Sequence, residues 1–284
     1  MTPRFTALLA TDLDGTLLTS QRRATEQDLR TLHQLGQDRV CRAVVTGRSL
    51  HSTRRALPAD FPIDYLVFSS GAGIVDWRTG ELLVAHQIPG PEVARAIDAM
   101  LAHQVNFMVH EPVPENHRFR YCQTCVEDTD FIRRRDYDPS LAVPLATGSP
   151  SGPASQLLAV IPLDLDRLAA LRASLTGLQV IRTTSPLDKQ SIWVEVFPPH
   201  VSKASGCEWL ANRFGIPHPQ TYCLGNDYND LHMLQWGAHA AVVANAPPDL
   251  RQQFAVVSSH EHDALTSACA SWASCGLPLG VTQA

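Results

Sequence analysis

At 284 residues the chain exceeds the usual domain length of about 100–200 residues, which predicts one large domain or a core carrying a second, smaller one. Hydrophobic residues at 44% supply a core, and charged residues at 18% are too few for a disordered chain. A net charge of −5, with Lys and Arg scattered apart from Arg133, Arg134 and Arg135, argues against a nucleic-acid partner; the three arginines read as a solvated turn or helix face.

Residues 5–10 are apolar and run into Thr11-Asp12-Leu13-Asp14-Gly15-Thr16, the pattern of a buried strand that delivers polar residues at its carboxyl end. Helical spacing follows: Thr25 is placed to cap a helix whose apolar positions are Leu29, Leu32 and Leu35, with Gly36 as its stop. Apolar runs at 40–45 and 65–68 end in Thr46-Gly47-Arg48-Ser49 and Ser69-Ser70-Gly71-Ala72. Strands alternating with helices predict a parallel sheet covered on both faces, with a ligand site beyond the carboxyl ends of its strands.

The character changes after about residue 80. Helix candidates at 91–102 and 165–175 stand between apolar runs at 156–161 and 192–197, separated by loops rich in Pro and charge. The stretch reads as an inserted domain of mixed α and β structure. Alternation resumes with a helix at 203–214 stopped by Gly215, a strand at 221–224, a helix at 231–236 and a last strand at 240–243. The expected fold class is α/β: a Rossmann-like core from residues 1–82 and 198–284, with an α+β insertion at 83–197.

No apolar run approaches the roughly 18 residues needed to cross a bilayer, and residues 1–10 lack the pattern of a signal peptide, so a cytoplasmic protein without a membrane partner is expected. Seven cysteines without regular spacing fit free thiols; Cys122 and Cys125, a lone Cys-x-x-Cys, read as structural or incidental.

Asp12 and Asp14 lie two residues apart at a strand end, so in extended geometry both face one side. Carboxylates that close repel unless a cation or a shared proton relieves them. A hard cation such as Mg2+ takes oxygen ligands and bridges to phosphate, and a carboxylate held there is a nucleophile toward phosphorus. Gly15 permits the tight turn. A plain solvated turn or helix cap remains the alternative for these residues. The second acidic constellation, Gly225-Asn226-Asp227-Tyr228-Asn229-Asp230, again follows an apolar strand and offers oxygen ligands; its alternative is N-capping by Asn229 or Asp230. Thr46 offers a hydroxyl to a phosphate oxygen and Lys203 an ammonium to the charge that builds on a transferring group, though each alone is commonplace.

The ordered set resembles the haloacid dehalogenase superfamily of phosphatases, and within it the Cof-like group with a large α/β cap. Leu8 to Leu18 looks like the first motif, Val44-Val45-Thr46-Gly47-Arg48 the second, Val201-Ser202-Lys203-Ala204-Ser205-Gly206 the third, and Leu224 to Leu234 the fourth. The resemblance implies Asp12 as nucleophile and metal ligand. Asp14 is implied as the acid that protonates the leaving oxygen and then activates water, its main-chain carbonyl binding the metal. Thr46 and Lys203 are implied on the phosphoryl oxygens, Gly47, Arg48, Ser70 and Gly71 near substrate, and a Mg2+ site drawn from Asp12, Asp14, Asn226, Asp227 and Asp230. The fourth motif departs from the family, since Asn226 stands where Asp is usual and the acid follows at Asp227. Ser70 stands where Asn is usual.

The function expected is Mg2+-dependent hydrolysis of a small phosphorylated metabolite, a sugar phosphate among the candidates, with the cap excluding water and selecting substrate. Two other readings are a phosphomutase acting on a sugar phosphate and a non-catalytic metal- or ligand-binding module. His110, His117, Arg118, Arg120 and Tyr121 are cap residues within reach of either substrate contact or ordinary packing. The sequence sets no oligomeric state.

Overall fold

The apolar run at the start of the chain forms strand β1 (Ala7–Thr11), buried at every position, as a strand covered on both faces must be. In this computed structural model, which describes residues 4–124, 128–146 and 151–274, the chain divides into two compact units. One contains the residues up to 48, 53–84 and those from 202 onward; the other contains 49–52 and 85–201. Helix α1 (Glu26–Gln37) follows, its start capped by the Thr25 hydroxyl, which accepts from the Asp28 N–H at 3.1 Å. Gly36 does not stop it: the helix runs on to Gln37 and is closed by the Asp38 N–H. The guanidinium of Arg42 lies where a side chain at Gly36 would stand, 2.5 Å from an ideal Cβ, so this glycine serves a close approach instead. Strand β2 (Val40–Val45), helix α2 (Leu50–Ala56), strand β3 (Tyr65–Phe68) and the short strands β4 (Gly73–Asp76) and β5 (Leu82–Ala85), the last at the sheet edge, complete this half.

The second unit carries α3 (Gly90–Ala102), β6 (Asn106–His110), β7 (Phe119–Cys122), α4 (Thr129–Asp136), β8 (Ala142–Pro144), β9 (Gln156–Ile161), α5 (Leu165–Ser174), β10 (Gln179–Thr184) and β11 (Ile192–Phe197). Its sheet runs β10-β11-β9-β6-β7-β8, antiparallel except for the β7–β8 pair. The period of two divides its side chains. Phe107, Val109, Leu157 and Ala159 pack with Val93, Met100 and Leu171 of α3 and α5, while Met108, Leu158 and Val160 pack with Phe131 of α4. Arg133, Arg134 and Arg135 form the last turn of α4, where positive charge suits the helix dipole. They do not form one solvated face: Arg134 lies 4.9 Å over the Phe119 ring and Arg135 pairs with Asp136 at 2.6 Å. Cys122 is a half-buried free thiol, as the other described cysteines are free, and Cys125 lies outside the described residues.

The chain then returns to the first unit with α6 (Lys203–Phe214), β12 (Thr221–Gly225), α7 (Leu231–Trp236), β13 (His239–Val243), α8 (Pro248–Gln253), β14 (Ala255–Val257) and α9 (Ala264–Ala273). Gly215 stops α6 in the left-handed region at φ 63°. The resulting sheet has the order β14-β13-β12-β1-β2-β3-β4-β5. From β14 to β3 every pair is parallel, and β4 adds to β3 in the antiparallel sense, so the α/β core is a mixed sheet. Leu8, Ala10, Ala43, Val45 and Val67 pack against Cys207, Leu210 and Met233 of α6 and α7. Each leucine, valine or methionine among them contributes about 1.5–3 kcal/mol by leaving water. Helices α1 and α9 are tied together by Asp28, which accepts from the Thr266 N–H and hydroxyl at 2.8 Å each. Strand β1 lies between β12 and β2, which sets the loops after β12, β1, β2 and β3 side by side along one edge.

Candidate active site

Those adjacent loops hold the residues singled out by their chemistry. The Asp12 N–H donates to the Leu224 carbonyl at 2.9 Å, so the first acidic loop begins where the strand carrying the second one ends. Neighbouring strands stand about 4.8 Å apart, and Asp12 and Asn226 are thus brought within a few ångströms along the edge. On the other side the Thr46 N–H donates to the Val67 carbonyl at 2.9 Å, and the Ser70 N–H donates to the Thr46 carbonyl at 3.0 Å. Asp12, Thr46 and Lys203 are all buried.

Lys203 joins the two acidic loops. Its Nζ donates to Asp12 Oδ1 and to Asp230 Oδ1, both at 2.6 Å, and the ammonium is fully buried. The helix that delivers it starts in a capping box in which the Ser202 hydroxyl accepts from the Ser205 N–H at 3.2 Å and the Ser205 hydroxyl accepts from the Ser202 N–H at 3.0 Å. Burial works against the charge on Lys203, but Asp12 and Asp230 outweigh it and hold the ammonium above its ordinary range. Burial pushes the Asp12 carboxyl up to about 7; Lys203 pulls it down, and Asp230 and Asp14 push it further up. Two buried carboxylates sharing one ammonium leave a negative charge uncompensated, which is the electrostatic setting for a second cation.

The remaining acids are placed differently from one another. Asp230 has both oxygens engaged, Oδ1 by Lys203 and Oδ2 by the N–H groups of Asn226 and Asp227 at 2.8 and 3.1 Å. It therefore shapes the loop and seats the lysine, and Oδ1, which takes one hydrogen bond here, keeps a second lone pair. Asp227 and Asp230 also form a capping box around the turn at Tyr228–Asp230. The Asn226 side chain lies against Gly15, its Nδ2 2.7 Å from where a Cβ would stand, and Gly15 has φ +71°. Asp14 is half exposed, and its carboxylate is held by Arg48, with Nε to Oδ2 at 2.6 Å and Nη2 to Oδ1 at 2.5 Å. The main-chain carbonyl of Asp14 is a further oxygen of the kind a hard cation takes.

Gly47 lies half-buried between Thr46 and Arg48, whose N–H donates to the Thr46 hydroxyl at 3.2 Å. Ser69 and Ser70 both take positive φ, 48° and 51°, and Gly71 follows at φ 105°. Such a run is strained and persists only where its surroundings hold it. Here the Ser69 N–H is fixed to the Arg48 carbonyl at 2.8 Å, and Gly71 packs against the main chain of Ser202.

Among the described residues no three His, Cys, Asp or Glu side chains converge as a cation site. A donor set fit for Mg2+ on this edge is mixed: the Asp12 carboxylate, the Asp14 carbonyl and the Asn226 amide, all oxygen ligands of the kind a hard cation takes.

The profile of the haloacid dehalogenase-like hydrolases matches residues 9–266, from β1 into α9 and across both acidic loops. The chain belongs to this family. The hydrolase is similar to an HMP-PP phosphatase of Cronobacter sakazakii, 28% identical over 256 residues that cover 85% of each chain. It is also similar to an HMP-PP phosphatase of Serratia proteamaculans, 26% identical over 278 residues covering 93% of this chain and 94% of the relative. Its fold is that of a phosphatase of the haloalkanoate (HAD) enzyme superfamily from Bacteroides thetaiotaomicron, with a TM-score of 0.78 at 17% identity, covering 96% of this chain and 98% of that one. A HAD subclass IIB sugar phosphatase shares the fold with a TM-score of 0.75 at 18% identity, covering 94% and 99% of the two chains. The hydrolase is a phosphatase, and the reaction is the one typical of its family: Mg2+-dependent hydrolysis of a phosphomonoester through an aspartyl-phosphate.

Sequence reasoning passed over Asn245, in the loop after β13, whose Nδ2 donates to the Gly15 carbonyl at 2.9 Å. The available signal was its position just past the carboxyl end of a strand beside β12. In the second unit, His110 is buried with Nδ1 donating to the Asn116 carbonyl at 2.8 Å, Arg118 and Arg120 lie 3.6 and 3.3 Å from Glu115 and Glu111, and Tyr121 packs on Phe131. His117 stands 3.7 Å from Glu115.

Proposed function

We propose that Asp12 attacks the phosphorus of a small phosphorylated metabolite and that Asp14 moves the protons. Asp12 forms the new P–O bond as the ester P–O bond breaks, and the departing oxygen takes the proton of the Asp14 carboxyl. Asp14, now a carboxylate, accepts a proton from water as that water attacks the phosphoryl group on Asp12; inorganic phosphate leaves and Asp12 is restored. Lys203 and the Thr46 hydroxyl hold the phosphoryl oxygens, and Arg48 with the Gly47 and Ser70–Gly71 turns meets the substrate. Asp230 keeps Lys203 in place.

The Asp12 carboxylate, the Asp14 carbonyl and the Asn226 amide are the Mg2+ ligands in this reading, with Asp227 adding charge beside them. When bound, Mg2+ offsets the repulsion among the carboxylates and the incoming phosphate. The observation that carries the proposal is Lys203 bridging Asp12 and Asp230 at 2.6 Å, since one buried ammonium then faces both the nucleophile and the loop of the fourth motif.

A sugar phosphate is the first class to test, because a solved structure of like fold is a sugar phosphatase, and HMP-PP joins it in the panel because sequence relatives are HMP-PP phosphatases. The insertion acts as a cap over the choice of substrate. No helix among the described residues is long and apolar enough to cross a membrane, and the free cysteines support the reducing cytoplasm as its location. A panel of phosphorylated metabolites, assayed with Mg2+ and with chelator, tests the reading. Release of inorganic phosphate supports hydrolysis, isomerised sugar phosphate would indicate a mutase, and Asp12→Asn with unchanged turnover would remove Asp12 as nucleophile.

A further inference from the structure

We infer that Asn245 is a positioning residue for Asp14, holding through the Gly15 carbonyl the main-chain turn from which that carboxylate projects. The inference rests on the role proposed above for Asp14 as proton donor to the leaving oxygen.

Asp14 stands on an irregular turn outside the named strands, in an isolated bridge to Leu18. From behind, the N–H groups of Leu17 and Leu18 donate to the Leu13 carbonyl at 3.1 and 2.9 Å. On the outer side the polar contact to the turn is Asn245, whose Nδ2 donates to the Gly15 carbonyl at 2.9 Å. Its Oδ1 accepts from the His260 N–H at 3.0 Å. A carbonyl on one side and an N–H on the other admit only one orientation of the amide, so Asn245 is fixed at both ends. The same segment grips the loop again, because the Ser20 N–H donates to Glu261 Oε1 at 2.8 Å and the Ser20 hydroxyl donates to the same oxygen. Gly15 and Ser20, the two ends of the loop after Asp14, are thereby tied to neighbouring residues of one distant stretch of chain.

Such a tether answers a specific pull. Arg48 draws on both oxygens of the half-exposed Asp14 side chain, which projects from a turn outside the named strands and helices. Asn245 is itself exposed, so its hydrogen bonds contribute little to global stability. Their effect is on aim, where a displacement of about 1 Å lowers a rate by about 100-fold.

The test uses full-length Asn245→Ala and Asn245→Asp; the aspartate keeps an acceptor for the His260 N–H and loses the donor to Gly15. Single-turnover release of the leaving group is measured with 2,4-dinitrophenyl phosphate, whose phenolate needs no proton, and with the best alkyl phosphate of the metabolite panel, whose alkoxide does. Both variants are expected to slow release from the alkyl phosphate by about 10-fold or more, to leave release from the dinitrophenyl ester within about twofold, and to melt within about 2 °C of the parent. Equal losses on both esters, or no loss on either, would overturn the positioning role. Failure of the underlying reading has a different signature, namely an Asp14→Asn variant that keeps full turnover of the alkyl phosphate.

Discussion

Arg48 donates to both carboxylate oxygens of Asp14, at 2.6 and 2.5 Å, in a pair that is half open to solvent. An exposed pair of this kind contributes about 0.2–1 kcal/mol, so a phosphate dianion competes for the guanidinium at little cost. Arg48→Ala is expected to raise KM for a phosphate ester about tenfold while shifting stability by less than about 1 kcal/mol. Arg48→Lys restores the charge but not the planar fork, and recovers only part of that affinity. Steady-state kinetics and urea unfolding on the same preparations check both statements.

Lys203 differs from Arg48 in being sealed from water between two acids. Lys203→Met leaves Asp12 and Asp230 buried without their shared cation, a change of the class that destabilises by about 3–5 kcal/mol. Phosphate release is expected to fall by about 1,000-fold or more. The stability loss should shrink at pH 5, where Asp12, with its carboxyl pushed up to about 7, is protonated and the repulsion is relieved. Denaturant midpoints at pH 5 and pH 8 decide it; an equal loss at both would contradict the charge argument.

The same group sets a pH dependence on the metal-free protein. The Asp12 carboxyl has an ordinary value of 3.8 and is raised to about 7 in the fold. Its contribution to stability is complete below pH 3.8 and is lost as pH rises through 7, because the folded protein then carries an ionised group that burial disfavours. With chelator present, Tm should fall between pH 5.5 and pH 8, and Asp12→Asn should flatten that fall. In the reading proposed above Mg2+ binds the ionised form, so the Tm increase it produces should grow over the same interval. A Mg2+ shift in Tm that stays constant from pH 5.5 to pH 8 would sever the link between Asp12 and the metal.

The central strands and the helices that follow them were legible because burial on both faces requires continuous apolar runs, as at Val40–Val45 and Tyr65–Phe68. Edge strands β5 and β14 were not, since short strands with exposed positions carry neither such a run nor a long alternation. Gly36 misled as a helix stop because its purpose, room for the Arg42 guanidinium, belongs to tertiary packing. The residues of the site were visible as a set, but their partners were not. Nothing in the fourth-motif loop says that Asp230 turns one oxygen to Lys203 and the other to the main chain, or that Asn226 rather than Asp227 lies against Gly15. A lone Asn in a loop, such as Asn245, carries no signal until the strand order brings it beside Gly15.

Gly71 joins that packing to the chemistry. It takes φ 105°, and a Cβ there would stand 2.2 Å from the Ser202 carbonyl oxygen and 2.8 Å from its carbon, both main-chain atoms that no side-chain rotation relieves. Ser202 caps the helix whose first residue is Lys203, so Gly71→Ala must push on the element that seats the lysine. The strained φ and the overlap together should destabilise by about 2–5 kcal/mol. In the fraction that remains folded, kcat should fall further than KM rises, because in the role proposed for Lys203 its displacement affects the phosphoryl group in flight more than the bound ester. Gly152→Ala is the control: no atom of the described residues lies within 4 Å of its Cβ position, and it should be neutral or stabilising by up to about 1 kcal/mol. Thermal unfolding and Mg2+-supported hydrolysis of an aryl phosphate, measured on both variants, separate strain at the Lys203 helix from a general intolerance of added methyl groups.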